Sequence, residues 1–314
     1  MPIICYHASQ EQFAPSHLLA LAIQAEQAGF GGIHSSDHFH PWSRQQGQSG
    51  FTFSWIAAAM QATTVPFSMI CAPGQRLHPA IVAQAIATLG QLFPGRINVE
   101  LGSGEYLNEH ITGEPWPEKN IRNERLKECA EVIKRLLSGE TVTHSGHVQV
   151  KEAKLYTRPA EMPLLLGAAL TDATARWLGN WADGLLTTAG TPAETLRRVE
   201  QFRENGGAGK PVYLQKAFSY APDYQQAAQA AWQQWRYNLV SIEQLATMAN
   251  PEDFEAAGKN ISIEEVTKKI PVYTHIGQLK EALQQLQDTI HPDRIVLHNI
   301  NPWQEQFIEH YARN

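Results

Sequence analysis

The sequence predicts a (β/α)₈ barrel, and three observations carry that prediction. Short apolar runs alternate with amphipathic stretches about eight times along 314 residues. Polar, chemistry-bearing residues collect just past the ends of those runs, where barrel enzymes build their sites. No Gly-x-Gly-x-x-Gly turn follows the first run, which disfavours the runner-up, an open doubly wound sheet.

The first strand is expected at Ile3 to Tyr6. A helix follows from Pro15 to Ala28, with Pro near its start and Gly29 as its stop. Its residues Leu18, Leu19, Ala22, Ile23 and Ala25 share one face. The second strand is Ile33 to Ser36, then a helix near Phe53 to Ala62, then a third strand, Phe67 to Cys71. Pro79 opens the next helix, where Ile81, Val82, Ala85, Ile86 and Leu89 recur at helical spacing, and Pro94-Gly95 ends it. The fourth strand, Ile97 to Leu101, runs straight into Gly102-Ser103-Gly104-Glu105.

After a polar loop from Thr112 to Asn120, a helix spans Arg122 to Leu137, with Leu126, Ala130, Ile133 and Leu137 as its buried stripe. Thr141 to Leu155 changes to a period of two around Ser145-Gly146, the pattern of an inserted hairpin. Strands five to eight are Leu164 to Gly167, Gly184 to Thr188, Val212 to Ser219 and Arg294 to His298. The helices around them start at Thr171 or cover Pro192 to Glu204, Asp223 to Trp235, Gly277 to Leu286 and Pro302 to Tyr311. Trp235 to Ile270 departs from the alternation and reads as a helical lid or a packed excursion. Insertions therefore follow strands 2, 4 and 7. No linker composition appears, so residues 1–314 read as one domain.

Composition narrows the function. The net charge of -6 and the absence of a Lys/Arg run longer than Lys268-Lys269 give no electrostatic case for nucleic acid. Cys5, Cys71 and Cys129 are odd in number and widely spaced, as small buried residues of a reduced protein are. No charged leader and no apolar run of membrane-spanning length are visible. A soluble cytoplasmic protein acting on a small molecule, without a membrane partner, is expected.

The strand ends divide by chemistry. Strand 2 ends in Asp37-His38 with Trp42 nearby, and strand 4 in Gly102-Ser103-Gly104-Glu105 with Asn108. Strand 3 ends in Cys71-Ala72-Pro73 and strand 5 in Gly167-Ala168-Ala169. A flat apolar ligand with one polar edge fits that division. Each residue also has a plainer reading. Asp37 can cap a loop. Gly102 to Glu105 can be a tight turn, or it can aim backbone N–H groups at an anion or carbonyl edge. Glu105 can exchange protons or pair with a cation. Trp42 can be a lid, a stacking partner or packing. His7, His78 and His298 read as core hydrogen bonders. His38 and His40 have a metal ligand's spacing, but strands 5 to 7 offer no further ligands, so no metal is expected.

Ser36-Asp37-His38-Phe39-His40-Pro41-Trp42, Arg76-Leu77-His78-Pro79-Ala80, Pro94-Gly95-Arg96-Ile97 and Gly102-Ser103-Gly104-Glu105-Tyr106-Leu107-Asn108-Glu109 together resemble the luciferase-like flavin and deazaflavin oxidoreductases. The chain most resembles the branch containing deazaflavin (coenzyme F-420) dependent glucose-6-phosphate dehydrogenase, and the likeness covers nearly its whole length. The resemblance implies a ring lying across the strand ends. Asp37 and His38 would face ring and substrate, and Trp42 would wall the substrate pocket. Ser103, Gly104, Glu105 and Asn108 would lie along the cofactor, with Glu105 at the ring edge that exchanges a proton. Ala168 and Ala169 would face the cofactor too. A non-proline cis peptide at Met69-Ile70, pressed under the ring, is also implied. A homodimer is the expected assembly.

Two departures shape the expected function. Ala168-Ala169-Leu170-Thr171 stands where many relatives have a Gly pair, and bulky Leu170 restricts backbone approach to a phosphate. The helix starting at Thr171 can still offer N–H groups to one phosphate. Thr191, Leu245 and Lys269 stand where the sugar-phosphate enzymes place three cations, and one cation makes a poor phosphate clamp. The expectation is an oxidoreductase transferring hydride or oxygen to a small substrate other than glucose 6-phosphate. FMN is the first cofactor and the deazaflavin the alternative. His38 would be the acid/base group, Glu105 would exchange the ring's proton, and Asp37 would orient His38 or contact the ring. The rivals are a flavin-binding barrel without turnover and a metal-dependent hydrolase.

Overall fold

A computed structural model describes residues 1–313. Eight parallel strands close on themselves: β1 (Ile3–Ala8), β2 (Gly32–Ser36), β3 (Phe67–Cys71), β4 (Ile97–Leu101), β7 (Leu165–Ala169), β8 (Leu185–Thr188), β9 (Val212–Tyr220) and β11 (Arg294–Asn299). They follow one another around the ring in chain order, and the β8–β9 and β11–β1 pairings close it. The fold is the (β/α)₈ barrel that the alternation predicts. β5 (Val142–Ser145) and β6 (Gln149–Ala153) form the inserted antiparallel hairpin. β10 (Val272–Tyr273) adds two residues beside the end of β9.

Local chemistry sets the helix starts. Pro15 and Pro79 occupy first-turn positions, where a missing N–H costs nothing. Thr191 and Glu194 form a reciprocal capping box, as do Ser241 with Gln244 and Ser262 with Glu265. The helix Lys119–Leu137 starts three residues earlier than expected. Its first turn carries Lys119, which the sequence pattern leaves in a polar loop, and Arg122.

Two layers fill the molecule. The outer one lies between strands and helices and holds Ile33, Met69, Val99, Ile86 and Ile133. The inner one is the barrel interior, where Ile70, Leu166, Leu186 and Tyr213 meet. The excursion after β9 folds as the helices Ile242–Thr247, Pro251–Ala257 and Ile263–Lys269. Phe254 is fully buried there and takes the edge of Trp42 at 5.2 Å between ring centres. The excursion is thus tied to the loop after β2. No described helix is long and apolar enough to cross a membrane.

Candidate active site

The strands end around a cavity of ≈ 610 Å³. One side is polar, with Glu11, Asp37, His38, Glu105 and Asn108. Apolar side chains line the rest, Ile70 on β3 between those polar groups and Ala168, Ala169 and Leu186 on β7 and β8. A flat ring with one polar edge fits this division.

His38 is held at both nitrogens. The side-chain amide of Asn108 donates to His38 Nδ1 at 3.2 Å. An accepting Nδ1 leaves the ring proton of the neutral imidazole on Nε2. That atom faces Glu11 Oε1 at 3.2 Å. Glu11 also accepts from Ser9 Oγ at 2.7 Å and Ser36 Oγ at 2.9 Å. Burial pushes the Glu11 carboxyl up, but His38, His7 and the Ser9 hydrogen bond outweigh it and hold it below the usual carboxylate range. An ionised carboxylate against an imidazole is an acid–base pair placed for proton transfer.

Glu11 is a site residue that sequence reasoning missed. The first strand runs to Ala8, two residues past its expected end, and so carries Ser9 and Glu11 to the cavity rim. The acidic Ser-Gln-Glu turn just past a strand end was the available signal.

Asn108 clamps two loops. Its Oδ1 accepts from the backbone N–H of Phe39 at 2.9 Å and of His40 at 3.3 Å, and its amide also reaches Glu105 Oε2 at 3.3 Å. It sits on a single helical turn, Tyr106–Glu109. Burial raises the Glu105 carboxyl, with His38 offsetting part of the rise. A carboxyl raised this way is suited to hold or release a proton at a ring edge.

Gly104 has φ +85°, and a Cβ there would lie 3.1 Å from Glu109 Cγ and 3.3 Å from Trp116. Only glycine keeps this turn unstrained. Lys119 Nζ donates to Ser103 Oγ, and Arg122 Nη1 donates to the Gly104 carbonyl at 3.1 Å. Both cations line the cavity and could face an anionic group of a cofactor.

Asp37 lines the cavity, but its carboxylate takes the Arg76 guanidinium and the Thr52 backbone N–H. It does not orient His38; Glu11 does. Arg76 in turn donates its backbone N–H to Glu109 Oε2 at 2.7 Å, which ties the loop after β3 to the one after β4. Trp42 walls the cavity and lies 5.3 Å from the His38 ring. His40 turns away, onto the Leu107 carbonyl at 2.8 Å and against His110. No cluster of metal-ligating side chains occurs among the described residues.

The Met69–Ile70 expectation is corrected. No described peptide bond is cis. β3 keeps parallel register with β2 and β4 through that bond. Alternation along a trans strand then sends Ile70 to the cavity and Met69 into the outer layer, with no solvent exposure. Met69 therefore does not wall the cavity.

The luciferase-like monooxygenase profile matches residues 5–295. This chain belongs to the luciferase-like monooxygenase family. It is an oxidoreductase. It is similar to the F420-dependent glucose-6-phosphate dehydrogenase of Microbacterium testaceum, with 31% identity over 98% of this chain and 94% of the relative. It is also similar to the enzyme of the same description from Mycobacterium tuberculosis, with 32% identity over 97% of this chain and 94% of the relative. Among solved structures, an F420-dependent secondary alcohol dehydrogenase in complex with an F420-acetone adduct superposes with a TM-score of 0.90. The identity is 29%, covering 100% of this chain and 98% of that one.

Proposed function

We propose that this enzyme is a deazaflavin-dependent dehydrogenase of small alcohols that carry no phosphate. The observation that carries the reading is the Glu11–His38 pair, with Nε2 and Oε1 at 3.2 Å on the wall of a cavity that also carries apolar side chains. Removing a hydride from a carbinol carbon requires that the hydroxyl proton leave as well. The Glu11–His38 pair would take that proton, with Asn108 fixing the tautomer and the two serines fixing the carboxylate. A barrel that only bound a ring would have no use for a buried ionised carboxylate against an imidazole, so the geometry speaks against binding without turnover.

When bound, the deazaflavin ring would supply hydride acceptance. Ile70, Ala168, Ala169 and Leu186 would lie against its apolar face. Glu105 would hold a proton at its polar edge, and Lys119 and Arg122 would meet an anionic group on its tail. Trp42 would close the substrate end.

The sequence pointed first to FMN. The full-length relatives named above are described as F420-dependent, and they support the deazaflavin instead. At the substrate end Leu245 and Lys269 line the cavity, while Thr191 is engaged in capping its own helix. One flexible cation beside an apolar wall supports a neutral or singly charged substrate over a sugar phosphate.

The test is to load the purified protein with the deazaflavin or with FMN, read the retained absorption, and add substrate. Secondary alcohols of three to six carbons should bleach the bound deazaflavin, and glucose 6-phosphate should not. Retention of FMN alone, or bleaching by glucose 6-phosphate alone, overturns the reading.

A further inference from the structure

The interior of this barrel is polar where barrels are usually filled with branched apolar side chains. His7, His34, Ser68, Glu100, Arg294 and His298 are all buried there. His7 and His34 are direct neighbours across β1 and β2. Their Nδ1 atoms lie 2.9 Å apart, so one nitrogen must carry a hydrogen and the other accept it. On its far side, His34 Nε2 faces Glu100 Oε2 at 3.7 Å. Neither His34 Nε2 nor either Glu100 oxygen has a hydrogen-bond partner, although all are shut off from solvent. A folded interior seldom leaves three such atoms idle in one place. His7 lines the cavity at the other end, where Glu11 acts on it electrostatically.

We propose that His7 and His34 form a proton file from the cavity to Glu100, which stores a proton inside the barrel. In the empty state Glu100 is a carboxylate, His34 holds its hydrogen on Nε2, and His7 holds its own on Nδ1. A proton arrives at His7 Nε2. The His7 Nδ1 hydrogen passes to His34 Nδ1, and the His34 Nε2 hydrogen passes to Glu100. One proton enters and one lands, both imidazoles end neutral with exchanged tautomers, and the net change is neutralisation of Glu100.

The surroundings favour this. Burial drives both imidazoles toward the neutral form; His298 and His38 depress His7 further, against Glu11, and His7 and Arg294 depress His34 further. Burial pushes the Glu100 carboxyl up to about 7, with Ser68 and Arg294 opposing the rise. The other ionisable groups whose charge acts with it are Cys5 on β1, Cys71 on β3 and Tyr213 on β9; burial pushes each of them up, so all three stay uncharged near neutrality.

The existence of the store does not depend on the proposed function, but its use does: the alcohol's hydroxyl proton would be the one that enters. The experiment therefore has two arms. In the free protein, infrared difference spectra across a pH titration should show a buried carboxylic acid band that vanishes near neutral pH and is missing from Glu100→Gln. In the loaded enzyme, an indicator dye in weak buffer on the alkaline side of about 7 should report fewer protons released per hydride transferred in the first turnover of the wild type than of Glu100→Gln, because proton uptake by the reduced ring is the same in both. A Glu100 band that does not titrate near neutrality overturns the proposal. So does a first turnover in which the wild type and Glu100→Gln release equal numbers of protons per hydride. If no alcohol reduces any bound cofactor, the dehydrogenase reading fails, and the infrared arm alone decides the store.

Discussion

Two polar clusters lie one above the other along the barrel axis, and they are built on opposite terms. The upper one, Glu11–His38–Asn108–Glu105, is hydrogen-bonded at nearly every atom that matters. The lower one, His34–Glu100 with Ser68 below His7, leaves buried atoms without partners. A satisfied network fixes geometry, because moving any member breaks a bond in a low-dielectric site. An unsatisfied one keeps spare capacity for a proton or a water. The enzyme thus places its positional precision at the mouth and its ionisation freedom in the core.

The comparison can be broken at the mouth first. His38→Ala should lower turnover by roughly 10²–10⁴-fold, the usual worth of a positioned acid–base group, while the retained cofactor absorption stays intact. Unchanged turnover removes His38 from the chemistry. Glu11→Gln keeps an acceptor for the Ser9 and Ser36 hydroxyls but removes the charge, so a loss of about 10²-fold is expected. The folded Glu11 carboxyl is held below the usual carboxylate range, so the ionised group persists at neutral pH and is lost only as pH falls through that lowered range. The acid limb of the wild-type profile should be absent from Glu11→Gln, and a surviving limb assigns it to another group.

The lower cluster gives the opposite pH sign. The Glu100 carboxyl is raised from 4.5 to about 7. The unfolded chain therefore releases this proton first, and stability falls as pH rises from 4.5 toward 7, by about 3 kcal/mol at most. Urea midpoints measured across that window should fall in the wild type and stay flatter in Glu100→Gln. Parallel curves contradict the buried carboxyl's role. The smallest effect tests the turn after β4. Gly104→Ala places a Cβ at φ +85°, 3.1 Å from Glu109 Cγ, and should cost about 1–2 kcal/mol, read as a lowered melting temperature.

Much of the fold was legible in the chain itself. β3 and β4 fall at their expected residues, and the hairpin announces itself by a change of period. The cavity wall was legible where a residue lies a few positions past an expected strand end, as His38 and Glu105 do. It was not legible where a strand runs longer than its apolar pattern, as β1 does, which hid Glu11. That Asp37 takes no part in orienting His38 was hidden for a related reason. Its place at a strand end marks the cavity, but the Arg76 that claims its carboxylate lies on another loop, 39 residues along the chain. The helical turn Tyr106–Glu109 was too short to have a period of its own.

The sequence by itself determined the alternation of strands and helices, the polar and apolar division of the strand ends, and the residues on which a ring-binding site could be built. These follow from local spacing, which the chain carries at every point. Only the tertiary structure decided the pairings: Glu11 and not Asp37 against His38, Asn108 across both, Met69 turned outward, and Glu100 left facing His34 in the dark of the barrel. Each of those is set by closure of the eight strands, which brings together residues as far as 70 positions apart, and no local pattern encodes that distance.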